Sequence, residues 1–164
     1  MVELTLVRHA KSDWSDPTIA DHDRPLNPRG TRDAPIMARR ARARLDADPG
    51  ARGVERLVSS TAIRARTTAA TFGSALGVEV ELDPELYLAS ASQLLDHAIA
   101  AGSGRATVML VAHNPGLSDL AAVLSQGEIT HLPTCAVARF TWADPSWHTA
   151  LTRPADSWHL DTPR

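Results

Sequence analysis

The sequence predicts an α/β fold: a single-domain, three-layer sandwich whose mostly parallel sheet carries helices on both faces and ends in an antiparallel edge. Three observations predict it. Short β-branched runs alternate with segments of helical periodicity along most of the chain. The most apolar run, ATVMLVAH at 106–113, is continuous rather than alternating, as in a strand covered on both faces. Two later strand-like runs are separated only by ADPS, which predicts a terminal hairpin. A chain of 164 residues is long enough for one proper core and short for two, and it shows no repeat, linker or low-complexity segment.

In chain order, VELTLV (2–7) is the first strand. Residues 13–30 are polar and punctuated by proline, a long loop of the kind that often carries function. A helix is expected over 31–46, with Ile36, Met37, Ala41 and Leu45 on one face and the arginines of RRARARL (39–45) on its solvated side. A strand over 54–60 leads into a helix over 61–77 that Gly77 ends, and a short strand follows at 78–82. The helix over 90–102 has Ser90 or Ser92 as its cap. After the strand at 106–113, a helix over 114–127 has Asn114 at the N-cap and Pro115 at the first helical position. The hairpin pairs AVARFTW (136–142) with WHTALTR (147–153), packed by Trp142 and Trp147.

Composition excludes several classes. The formal net charge of −2 gives no reason to expect nucleic acid or an anionic membrane as partner. No stretch approaches the ~20 apolar residues of a membrane span, and Arg8 cuts the N-terminal apolar run too short for a signal peptide. Cys135 is the single cysteine, so no internal disulfide forms and a reducing, cytoplasmic setting is expected.

The polar residues converge at strand ends. The first strand runs into Arg8 and His9, beside Lys11, the only lysine. VMLVA runs into His113, and RLVSS leads into a helix with Arg64 in its first turn. In open α/β sheets, ligands bind beyond the carboxyl ends of the strands. Arg64 opposes the positive end of the helix dipole unless an anion sits nearby. Two histidines, two arginines and helix N-termini suit a dianionic oxyanion, foremost a phosphoryl group. A histidine with one unprotonated ring nitrogen can attack phosphorus while the cations stabilise the equatorial oxygens, with no metal or other cofactor required. Lys11 is either a steering charge or simply exposed. His97, His131, His148 and His159 have no convergent partners in the sequence pattern.

At this point the sequence resembles a known family. LVRHAKSDW resembles the Arg-His-Gly signature of the histidine phosphatase (phosphoglycerate-mutase-like) superfamily, SSTAIRARTTA (59–69) its second motif, and VAHNPG (111–116) the segment with its second histidine. The short chain and DRPLNPRG (23–30) are closer to SixA-type phosphohistidine phosphatases than to the mutases. The resemblance implies that His9 is the nucleophile and that Arg8, Arg64 and His113 form the phosphate pocket around it. Ala10 replaces the signature glycine. Ser15 stands where the motif has asparagine, so one phosphate contact is shortened or absent.

A third departure concerns the leaving group. Relatives acting on esters carry a general-acid glutamate in a Leu-x-Glu segment; here LYL (86–88) puts Leu88 in its place. Losing a positioned acid costs 10²–10⁴-fold on an alkoxide leaving group. A phosphorylated imidazole can be protonated beforehand, so a phosphoramidate substrate, phosphohistidine on a protein, is the expectation. Glu85, Asp13, Asp16, Asp21 or Asp23 could still supply the acid for small phosphate esters. A non-catalytic phosphoprotein binder, or a metallohydrolase built on DHD (21–23), are the remaining alternatives; DHD lacks a recognised ligand spacing.

Overall fold

The computed structural model describes residues 1–164. Its strands are β1 (Val2–Arg8), β2 (Arg56–Ser59), β3 (Val80–Leu82), β4 (Thr107–Ala112), β5 (Val137–Trp142) and β6 (Ser157–Asp161). Its helices are α1 (Pro28–Ala47), α2 (Ile63–Leu76), α3 (Ala91–Ala101), α4 (Gly116–Leu124) and the short α5 (Trp147–Ala150). The strands form one sheet in the order β3-β2-β4-β1-β5-β6. The first four are mutually parallel, and β5 and β6 add the antiparallel edge.

Alternation along the central strands divides the core into two layers. Met109 and Val111 of β4 join Val7 and Leu57 beneath Met37 of α1 and Phe72 of α2. Val108 and Leu110 face the other way, with Leu4 and Leu6, toward Leu94 of α3, Leu117 and Leu120 of α4 and Trp147 of α5. Each such side chain taken fully out of water contributes roughly 1.5–3 kcal/mol, so the two-sided β4 is the anchor of the sandwich.

Most boundaries follow local chemistry. Ser90 makes a capping box with Gln93 at the start of α3, and Gly77 ends α2 in the left-handed region at φ 70°. The helix expected at residue 31 begins three residues earlier, because the Asn27 side chain accepts from Gly30 N–H and Pro28 takes the first helical position. Pro28, which reads as loop in the sequence, is a helix-starting residue here. The helix expected from 114 begins at Gly116; Asn114 still serves its first turn, its Oδ1 accepting from Ser118 N–H at 3.2 Å.

The terminal hairpin is corrected. Its first strand is β5, but residues 147–153 are not the second. Ser146 caps a helical turn there, and Trp147, Ala150 and Leu151 are buried at helical spacing. The pairing strand is β6, aligned Val137 to Asp161 through Thr141 to Ser157. Trp142 is fully buried and donates to the carbonyls of Arg153 and Pro154, while Trp147 packs on Gly102 and donates to the Arg105 carbonyl. On α1 the arginine-rich face is solvated as expected, with Arg42 pairing Asp46 one turn on.

Candidate active site

Register brings the sequence-distant motifs to one edge. Arg8 lies opposite Ala112, and Ser59 opposite Val111, so β1, β4 and β2 end level. The residues just beyond are His9, His113 and Ser60. The loop after β1 is held in place by Thr68 of α2, whose hydroxyl accepts from Ala10 N–H at 3.0 Å and donates to the Arg64 carbonyl at 2.7 Å. Gly30 of α1 lets that helix press on the same loop, since a Cβ there would stand 2.2 Å from the Lys11 carbonyl oxygen.

His9 is buried, and its Nδ1 lies 2.7 Å from the Ala10 carbonyl oxygen. A carbonyl only accepts, so Nδ1 carries the hydrogen and Nε2 is left with a free lone pair. Burial lowers its pKa from 6.5 to about 4, with the charges of Arg64 and Arg8 adding to the shift against the Ala10 hydrogen bond. The ring is therefore neutral at ordinary pH, the form in which Nε2 is a nucleophile.

His113 faces it, with ring centroids 5.1 Å apart. Arg64 Nη2 can only donate, and it stands 3.4 Å from His113 Nδ1; Nε2–H then donates to Ser60 Oγ at 2.8 Å. Burial, the neighbouring His9 and Arg64 bring the His113 pKa down to about 3. A bound dianion would reverse that balance and favour protonation of either ring.

Arg8 donates through Nη1 to the Leu132 carbonyl at 3.0 Å, while its buried Nε has no partner. Arg64, almost fully buried, is engaged by the long loop. Its Nη1 donates to the Asp21 carbonyl at 2.6 Å and its Nη2 to the Asp21 carboxylate at 3.0 Å. The same carboxylate accepts from Arg24 and from the Tyr87 hydroxyl. Tyr87 stands edge-on to both His113 and His22, at 5.4 and 4.8 Å between centroids.

The five candidate acids separate clearly. Asp21 alone is among the site's side chains, and although burial raises its pKa, hydrogen bonds from Tyr87 and Arg64 hold it below the usual carboxylate range. It is an anion there, not a proton donor. Asp13 and Asp16 close their own turns by accepting from the N–H groups of Ser15 and Thr18 at 2.7 and 2.9 Å. Asp23 pairs with His22 at 3.3 Å, and Glu85 with His97 at 3.3 Å. His97 also meets Asp83 at 3.0 Å, so it has the convergent partners that its place in the sequence did not suggest. Leu88 is exposed with φ 53°, and no carboxylate replaces it on the adjoining backbone.

Ser15 is exposed, and its backbone N–H is tied to Asp13. The DHD segment does not turn its three side chains to a common point: Asp21 meets two guanidinium groups, and His22 Nε2 lies 2.8 Å from Thr61 Oγ1. Sequence reasoning missed Tyr87, Arg24, Ser60 and Thr68 as parts of the site. Tyr87 is the only tyrosine in the chain and sits next to Leu88, where the family acid would stand, which was the available signal. Arg24 also lies under Trp14, its guanidinium carbon 3.2 Å from the ring centroid.

Comparison with known proteins shows the family and the fold. The family described as the histidine phosphatase superfamily (branch 1) matches residues 4–87. The uncharacterized protein Rv1276c of Mycobacterium tuberculosis is 35% identical over 152 residues, 93% of this chain and 89% of that protein. A structure from Agrobacterium tumefaciens, described as a candidate phosphohistidine phosphatase SixA, is 29% identical with a TM-score of 0.75, covering 98% of this chain and 96% of that one. One from Nakamurella multipartitia with the same description is 25% identical with a TM-score of 0.79, covering 99% and 96%.

Proposed function

The chain belongs to the histidine phosphatase superfamily, and from that premise we propose that it removes the phosphoryl group of phosphohistidine on a protein through a phospho-His9 intermediate. The observation that carries this reading is the state of His9: Nδ1–H is committed to the Ala10 carbonyl, and Nε2 is free, on a buried ring beside Arg8, Arg64 and His113.

In the first step the Nε2 lone pair forms a bond to phosphorus as the bond to the substrate's imidazole nitrogen breaks. The substrate ring, protonated beforehand on its other nitrogen, leaves as neutral imidazole. Arg8, Arg64 and His113 stabilise the equatorial oxygens in this reading. The phosphorylated His9 ring keeps its Nδ1 hydrogen on Ala10, which makes it cationic and a good leaving group. Water then attacks phosphorus, the Nε2–P bond breaks, and dihydrogen phosphate leaves with neutral His9. No metal or cofactor enters either step. Binding of phosphate requires the Asp21 carboxylate to share or yield Arg64, since both are anions competing for one guanidinium.

The phosphohistidine reading rests on the leaving-group side. Asp21 is held ionised and Leu88 replaces the family acid, so an alkoxide would leave without a proton donor. The same logic disfavours small alkyl phosphates. Comparing kcat/KM on a phosphohistidine peptide, an activated aryl phosphate and an alkyl phosphate tests it. The expected order places the first two at least 10²-fold above the third; comparable turnover of the alkyl ester would overturn the assignment and point to a working acid. Partners are accordingly phosphorylated proteins. No helix is long and apolar enough to cross a membrane.

A further inference from the structure

A basic cleft beside the reaction centre shares only Arg8 with the chemistry above. It has a volume of about 270 Å³ and is lined mainly by charged and polar side chains, Arg8, Lys11, Arg29, Arg32 and Arg164 among them, with His131 and two prolines at its wall. Asp33 is its one acidic side chain, buried and paired with Arg32 at 3.0 Å. Arg8 joins this cleft to the catalytic pocket, since it also bears on the proton affinity of His9.

Three features suit an anion. First, Arg29 has no carboxylate partner: its side chain bonds only the Thr134 hydroxyl at 3.2 Å, whereas Arg32 is paired with Asp33 and Arg24, Arg40, Arg56 and Arg64 elsewhere each hold a carboxylate. Second, Arg29 and Arg32 occupy the beginning of α1, whose first turn contains no acidic residue. Cations there oppose the helix dipole and are relieved only by an anion nearby. Third, the buried Nε of Arg8 has no hydrogen-bond partner.

We propose that this cleft is a second anion subsite, which receives the aspartate or glutamate side chains next to the phosphorylated residue of a protein substrate while His9 takes the phosphoryl group. The cations are spread along an open wall rather than gathered into one fork, and Arg29 is exposed. That arrangement fits several mobile carboxylates on a peptide better than one compact group. The subsite rests on the phosphatase reading of His9 and deepens it by naming the flanking chemistry of the substrate.

The test uses two phosphohistidine peptides, identical except that one has acidic and the other alanine flanks, at low ionic strength. Several exposed charge pairs together give a preference of about tenfold for the acidic peptide, expressed in KM with kcat unchanged. Arg29→Glu is expected to abolish that preference and Arg29→Lys to keep it. Neither variant should change turnover of a small aryl phosphate, which does not reach the cleft. Equal kcat/KM on the two peptides, or a preference that survives Arg29→Glu, would overturn the proposal. If phosphohistidine peptides are not turned over at all, the substrate reading fails, and phosphotyrosine peptides with the same flanks measure the subsite separately.

Discussion

Arg64 donates to both the main-chain carbonyl and the carboxylate of Asp21, at 2.6 and 3.0 Å, so the guanidinium that would clamp phosphate already holds an anion from its own chain. A like charge a few ångströms from a bound dianion costs on the order of 1 kcal/mol or more. Asp21→Asn is therefore expected to tighten competitive inhibition by tungstate or phosphate by about tenfold. Inhibition constants for the variant and the wild type check this; weaker inhibition in the variant would show that Asp21 assists the anion instead.

Thr68 links the loop that follows His9 to the helix that carries Arg64. Thr68→Val keeps the shape but leaves the buried Ala10 N–H without an acceptor, which costs about 1–3 kcal/mol. Because Ala10 also fixes the His9 tautomer, kcat/KM should fall with stability. Thr68→Ser retains the hydroxyl and should recover most of the activity. Urea denaturation and aryl phosphate turnover measure both.

Gly30 meets the Lys11 backbone too closely for any side chain. Gly30→Ala must push α1 away from the loop, and such overpacking costs about 1–3 kcal/mol. A lowered thermal midpoint with reduced turnover is expected. An unchanged midpoint would mean that the contact yields freely.

Both buried histidines have pKa values below the unfolded 6.5, at about 4 for His9 and about 3 for His113. As pH falls through 6.5 the unfolded chain takes up protons that the folded chain refuses, so stability drops from there toward pH 4 and levels off only below the folded values. The His9 share is roughly 3 kcal/mol. Urea midpoints of wild type should fall between pH 7 and pH 4.5, and less steeply in His9→Asn. Corrected for the substrate's own titration, the acid limb of kcat/KM should lie near pH 4 rather than 6.5.

Arg8, His9, Arg64 and His113 were legible in the sequence because each follows directly from the end of a strand or the start of a helix, and the parallel register does the rest. Asp21 was visible only as one carboxylate of several. Its place depends on contacts with Arg64 and Tyr87, 43 and 66 residues away, which no local spacing encodes. Residues 147–153 were misread because β-branched and aromatic content outweighed the Ser146 cap and the helical spacing behind it. The start of α1 was misplaced for the opposite reason, as prolines at 25 and 28 read as loop although the second begins a helix.

The central claim is that His9 Nε2 carries the phosphoryl group. Rapid alkaline quench after mixing with substrate, followed by peptide mass spectrometry, tests it directly. The account predicts a phosphoryl group on the peptide containing His9, lost on acid treatment and absent in His9→Ala, which should be inactive. Unimpaired turnover by His9→Ala, or a phosphoryl group found on another residue, would contradict it.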